Sequence, residues 1–212
     1  MNNVYFVSGI DTNIGKSYVT GYLAKQWNDA GVRTITQKFV QTGNTGLSED
    51  IELHRRLCGT GLLDEDYEGL TMPEIFSYPC SPHLAAEIDH RAIDFQKIEQ
   101  ATRTLSQRYD RVLLEGAGGL MVPLTRKLLT IDYVAQKHYP LILVTSGRLG
   151  SINHTLLSLE AVANRHIPLF AVAYNLYPKE EDALIQQDTQ QYIQDYLKVH
   201  FPKSQFFTVP CL

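Results

Sequence analysis

Apolar residues form near-continuous runs at 4–7, 112–115, 141–144 and 169–173. A strand with one wet face alternates apolar and polar residues, whereas a continuous run suits a strand buried on both faces. Segment 34–40 is also strand-like, and 206–209 is a short candidate for a last strand. Between these segments the spacing shifts to the helical period, which predicts helices over 18–30, 49–57, 95–108, 152–164 and 182–196. Gly31 follows the first of them, where glycine commonly closes a helix. Strands alternating with helices imply right-handed βαβ units. The expected fold is α/β, an open, mostly parallel sheet with helices on both faces, built as one domain over 1–212. Residues 59–91 hold three prolines and read as a structured loop with a short helix near 84–88.

The sharpest chemistry lies between the first strand and the first helix, in Gly9-Ile10-Asp11-Thr12-Asn13-Ile14-Gly15-Lys16-Ser17. A strand followed by a glycine-bounded loop, Gly-Lys-Ser and a helix is the setting of a phosphate loop. Backbone N–H groups and the helix N-terminus would cradle phosphate oxygens. Lys16 would reach the β- and γ-phosphates, and the Ser17 hydroxyl would ligate Mg²⁺. Five residues rather than four separate Gly9 from Gly15, so Ile10 takes the usual place of the first glycine. Such a loop needs a carboxylate to hold the metal. Glu115 ends a predicted strand and precedes Gly116-Ala117-Gly118-Gly119, at the sheet edge where open parallel sheets bind ligands. Asp50 is a weaker candidate, because a carboxylate at a helix start also complements the dipole. Lys38 stands in an apolar strand, which is costly unless it meets a negative charge.

The charge balance narrows the partners. Nineteen lysines and arginines face 23 aspartates and glutamates, giving −4, without the basic excess that nucleic-acid binding needs. No apolar run approaches the ~20 residues of a membrane helix. The start MNNVYFVSG reads as a strand and not as a signal peptide. Cys58, Cys80 and Cys211 are odd in number and far apart, which suits neither a disulfide framework nor a zinc site. The expectation is a reduced, cytoplasmic protein that binds neither nucleic acid nor membrane.

Several motifs, in this order, resemble the dethiobiotin synthetase family of P-loop proteins. They are GIDTNIGKS at 9–17, Gln37 to Gly43, Leu114 to Gly119, Ser81-Pro82-His83, Arg148-Leu149-Gly150-Ser151-Ile152-Asn153-His154, and Asn175 at the end of a late strand. The likeness covers nearly the whole chain. It implies an ATP- and Mg²⁺-dependent ligase that joins CO₂ to 7,8-diaminopelargonic acid through a carbamate and a carbamic–phosphoric mixed anhydride. On that likeness Lys16, Lys38 and Thr12 are catalytic, and Ser17, Asp50 and Glu115 hold Mg²⁺. Asn13, Ile14, Gly15, Tyr18, Gly116, Ala117 and Gly118 belong to the nucleotide site. Asn175 and Pro210 meet adenine, and Thr42 meets the diamine or carbamate. Gly150, Ser151 and Asn153 come from a neighbouring subunit to bind the substrate carboxylate, which implies a homodimer with shared sites.

Some residues depart from the family pattern. Phe39 replaces a proline and is expected to relax the loop before Thr42. Asn13 stands where glutamate is frequent, and Arg148 where lysine is. The short segment after Pro210 is expected to loosen selection of the base. His54 is read as structural or solvated, His154 as a helix-start packing residue, and His83 gains interest only from its family segment. Tyr174 and Tyr177 are read as core or dimer surface. Two other functions fit the phosphate loop: a paralogue with a changed substrate, and a partitioning-type ATPase, although such proteins carry Lys-Gly-Gly where this chain has Ile10-Asp11-Thr12.

Overall fold

The computed structural model describes residues 3–177 and 183–211. Six parallel strands form the sheet: β1 (Val4–Gly9), β2 (Thr34–Lys38), β5 (Arg111–Gly119), β6 (Leu141–Ser146), β7 (Leu169–Asn175) and β8 (Gln205–Val209). Their spatial order is β2-β5-β1-β6-β7-β8. Alternate residues of each strand feed opposite faces. Phe6, Leu114, Leu143 and Val172 enter one apolar cluster, and Val7, Leu113, Ile142 and Ala173 enter the other. Helix α1 (Lys16–Asp29) covers the second face through Val19, Leu23 and Ala24. Helices α5 (Phe95–Arg108), α6 (Thr130–Lys137), α7 (Ser151–Asn164) and α8 (Ala183–His200) bury residues such as Ile98, Val134, Leu159 and Ile193 in the first cluster. No helix among the described residues is long and apolar enough to cross a membrane.

The remaining elements shape the rim above the strand C-termini. Segment 34–40 does not stay one strand: the chain leaves β2 at Lys38, and β3 (Gln41–Thr42) pairs in parallel with β4 (Ile75–Phe76). Between them lie α2 (Glu49–Cys58) and the single turn α3 (Asp64–Tyr67), and α4 (Pro82–Ile88) follows β4. The α2 start is capped by Ser48, whose hydroxyl accepts from the Ile51 N–H. The start of the predicted 182–196 helix lies outside the described residues.

Phe39 does not relax the loop. Its ring is fully buried against Phe6 and Tyr133, and its N–H donates to the Glu115 carbonyl at 2.8 Å. A proline there would have no N–H to give. The bond ties the end of β2 to β5 one residue past Lys38.

Gly21 sets the distance between α1 and α2. A Cβ there would lie 2.7 Å from Leu57 Cδ1 and 3.1 Å from the backbone Cα of His54. A glycine in mid-helix costs about 1 kcal/mol against alanine, so its presence marks the close approach. Gly21→Val is expected to lower stability by about 1–3 kcal/mol through overpacking, read as a drop in Tm. An unchanged or raised Tm would show that the helices have room to part.

Candidate active site

The β2–β5 register puts Lys38 directly beside Glu115, at the C-terminal ends of both strands. Lys38 Nζ lies 2.8 Å from Glu115 Oε1, 3.2 Å from the Gly116 carbonyl and 2.5 Å from Asp50 Oδ2. Glu115 is fully buried and Lys38 is 5% exposed. Burial pushes the Glu115 carboxyl up, but Lys38 and His54 outweigh it and hold the group well below the usual carboxylate range. Burial likewise penalises the Lys38 ammonium, and the Glu115 and Asp50 carboxylates more than restore it. Both are therefore charged.

Helix α1 adds the phosphate-loop residues. Gly15 sits at φ +87, and a Cβ there would lie 2.3 Å from Asn175 Nδ2, so only glycine fits this corner. Lys16 Nζ donates to the Asp11 carbonyl at 3.0 Å across the loop. Burial lowers the Lys16 ammonium to about 8, against the pull of Glu115, and neighbouring Lys38 adds to the lowering. An anion beside it would reverse that.

Ser17 Oγ lies 2.6 Å from Asp50 Oδ1 and 2.8 Å from Glu115 Oε1. A hydroxyl has one proton to donate, so one of these contacts sets two lone-pair oxygens against each other. A cation among them would turn that repulsion into ligation. Three hard oxygen donors that leave room for waters suit Mg²⁺.

These groups line one cavity of about 620 Å³. Thr12, Asn13, Gly15, Tyr18, Ala117, Gly118 and Asn175 line it beside Lys16 and Ser17, and Thr42 lies on the Lys38 side. Three expected residues, Ile14, Gly116 and Pro210, do not line it and only bond lining residues through their backbone carbonyls. The Ile14 side chain is buried in the core while its carbonyl accepts from Asn175 Nδ2 at 3.0 Å. The Gly116 carbonyl meets Lys38, and the Pro210 carbonyl accepts from the Tyr18 hydroxyl at 2.9 Å. Asn175 Oδ1 accepts from the Tyr177 N–H at 3.2 Å, so this amide secures the loop, and among the described residues its second N–H has no partner.

Gly150, Ser151 and Asn153 do not reach this cavity. Gly150 and Asn153 border a separate hollow with Leu149, Leu184 and Ile185, while Ser151 is buried against Ser146. Arg148 pairs with Asp11 of the phosphate loop at 2.6 Å. His83 bonds Ser81 and lies away from the cavity, and His154 is exposed instead of packed.

Val40, Gln41, Glu49, Leu53, Tyr177 and Cys211 line the cavity without having been expected. Tyr177 had a faint signal, two residues past Asn175. His54, read as structural or solvated, is buried against Glu115 Oε2 at 2.9 Å. Its sign was its place four residues after Asp50, on the same side of α2.

Glu115→Gln is expected to cost on the order of 3 kcal/mol near neutral pH, because it breaks a buried pair. The folded carboxyl titrates below its ordinary 4.5. The unfolded chain therefore binds the proton more tightly, so the stabilisation holds above about 4.5 and is lost as pH falls below it. The Tm gap between wild type and variant, measured without metal, should narrow from pH 6 to pH 3. A constant gap would contradict the ion pair.

A family model described as an AAA domain matches residues 3–201. The ATP-dependent dethiobiotin synthetase BioD 2 of Pasteurella multocida is 50% identical over 206 residues, which span 97% of this chain and 96% of that one. The ATP-dependent dethiobiotin synthetase BioD of Chlorobaculum tepidum is 54% identical over 195 residues, or 92% and 81% of the two chains. Among solved structures, pNOB8 ParA bound to nonspecific DNA superposes at a TM-score of 0.58 with 11% identity, over 100% of this chain and 87% of that one. A putative plasmid partition protein of Borrelia burgdorferi B31 bound to AMPPNP gives 0.56 with 14% identity, over 99% and 87%. At such identities the partition proteins share the P-loop α/β fold alone. The match to the synthetases covers more than nine-tenths of this chain at about half identity, and the chain belongs to the ATP-dependent dethiobiotin synthetase family.

Proposed function

We propose that this protein is an ATP- and Mg²⁺-dependent ligase that closes the ureido ring of dethiobiotin from 7,8-diaminopelargonic acid and CO₂. The observation that carries this is one cavity where Lys16, Lys38, Ser17, Asp50 and Glu115 converge, in a chain about half identical to synthetases of that name.

The chemistry asks chiefly for positioning and charge neutralisation. One amine of the diamine adds to CO₂ and loses a proton, which leaves a carbamate. A carbamate oxygen attacks the γ-phosphorus of ATP and expels ADP, giving the mixed anhydride. The second amine then attacks the carbonyl carbon and gives up a proton, the C–O bond to phosphate breaks, and phosphate departs. Lys38, at the Thr42 side of the cavity, neutralises the carbamate. Lys16 and Thr12 would neutralise and orient the transferring phosphoryl group, and the backbone from Asn13 to Tyr18 would line the phosphate site. Ser17, Asp50 and Glu115 would hold Mg²⁺, which when bound offsets phosphate charge. The Asn175 amide, beside Tyr177 and Pro210, selects the base.

We place Gly150, Ser151 and Asn153 at the site of a second copy, in a homodimer. Leu149, Met121 and Leu157 support this, since they are 88%, 53% and 57% exposed and border hollows next to Asp11 and Thr12 or to Asn153. A single-domain cytoplasmic enzyme agrees with three free cysteines.

The purified protein, given the diamine, bicarbonate and MgATP, is expected to yield dethiobiotin by mass spectrometry, with phosphate, only when all three are present. Lys16→Ala should lower turnover by about a hundredfold or more. A folded protein that binds ATP yet makes no dethiobiotin would overturn the reading in favour of a relative with a changed substrate.

A further inference from the structure

Glu115 Oε1 serves Lys38 and Ser17, while Oε2 points into the protein and meets His54 Nε2 at 2.9 Å. Behind His54 stands a chain of polar groups that the chemistry above does not use. His54 Nδ1 lies 3.0 Å from Thr36 Oγ1, and Arg55 NH1 donates to the same oxygen at 2.9 Å. Arg55 is clamped by Asp66 through two bonds of 2.8 Å, and Asp66 also accepts from Thr71 Oγ1 and the Leu63 N–H. All six side chains from Glu115 back to Thr71 are buried, with none more than 4% exposed.

The protons in this chain can be placed one by one. An ionised carboxylate only accepts, so the bond between His54 and Glu115 needs a proton on Nε2. Thr36 Oγ1 accepts from Arg55, which always donates. Among the described residues the remaining partner for the threonine proton is His54 Nδ1. From Arg55 NH1 through Thr36 to His54 each donor therefore points toward Glu115, while Arg55 Nε and NH2 are held by Asp66. Arg55 is neutralised by Asp66, so the chain brings direction without net charge.

We propose that His54 is a positioning residue: it holds Oε2 of Glu115 at the end of this one-way chain, and so fixes Oε1 as the oxygen offered to Ser17, Lys38 and the bound cation. Without it the carboxylate could rotate and lose its alignment. The inference deepens the reading of Glu115 as a Mg²⁺ ligand and rests on it. Partners that orient a metal ligand commonly contribute 10–100-fold in metal affinity.

The test is a Mn²⁺ titration followed by electron paramagnetic resonance, with ATP present and no diamine, so that no turnover is read. His54→Leu should weaken Mn²⁺ binding by about tenfold or more. His54→Gln, which keeps an N–H near the Nε2 position, should restore most of it. Thr36→Val keeps its shape and loses the hydroxyl, so it should weaken binding in the same direction even if His54→Leu folds poorly. In steady-state assays of the same variants, the KM for the diamine should change far less than the Mn²⁺ affinity. A merely structural role would not separate these readouts or be rescued by glutamine. In the metal-free protein, ¹⁵N-labelled histidine should show His54 protonated at Nε2 and not at Nδ1.

Unchanged Mn²⁺ affinity in both His54→Leu and Thr36→Val, with affinity lost in Glu115→Gln, would overturn the positioning role and leave the metal site standing. Unchanged affinity in Glu115→Gln as well would overturn both. A proton found on Nδ1 would overturn the one-way chain.

Discussion

The buried pair of Lys38 and Glu115 is the constraint from which the site is built. Two charges taken out of water cost several kcal/mol each, and their attraction repays this only with good geometry and further hydrogen bonds. The β2–β5 register supplies the geometry by making the two residues direct neighbours. The further bonds come from three directions: Ser17 on α1, Asp50 on α2, and His54 one turn later on α2. Apolar residues of the same size would stabilise the sheet at least as well. The pair is better explained by chemistry, since it sets a fixed cation beside a fixed carboxylate in the wall of a cavity.

The demands of that pair extend outward. Lys38 must stop where β2 ends, so the chain turns away at Phe39, whose N–H is fastened to the Glu115 carbonyl. Helix α2 must lie close enough to α1 for Asp50 to meet Ser17, and Gly21 permits that approach. The phosphate loop must stay folded over the cavity. Asn175 holds it from the end of β7, and Arg148 holds it from the loop before α7 through Asp11. Residues far apart in the chain thus fix one small volume.

Much of this was legible in the sequence because it is local. Continuous apolar runs marked the central strands, and Gly-Lys-Ser after the first run marked the phosphate loop. Glu115 and Lys38 stood out as charges closing apolar segments. What escaped depends on distant partners. The Glu115–His54 contact joins residues 61 apart, and no local pattern encodes it. The turn at 64–67 is held by the Asp66 carboxylate, and β3 and β4 are two residues each. Helix α6 lacks a side-chain cap at Leu129, so no start signal announced it. Phe39 looked like a loosening of the loop because an aromatic cluster drawn from β1, α5 and α6 cannot be seen along one stretch of chain.

The claim that Ser17, Asp50 and Glu115 form one cation site around this pair is tested most directly by anomalous diffraction from crystals grown with Mn²⁺ and ATP. The account predicts an anomalous peak within coordination distance of Ser17 Oγ and at least one of the two carboxylates, directly or through a water, with Lys38 still beside Glu115. A manganese peak elsewhere, or Lys38 displaced from Glu115 in that crystal, would contradict it.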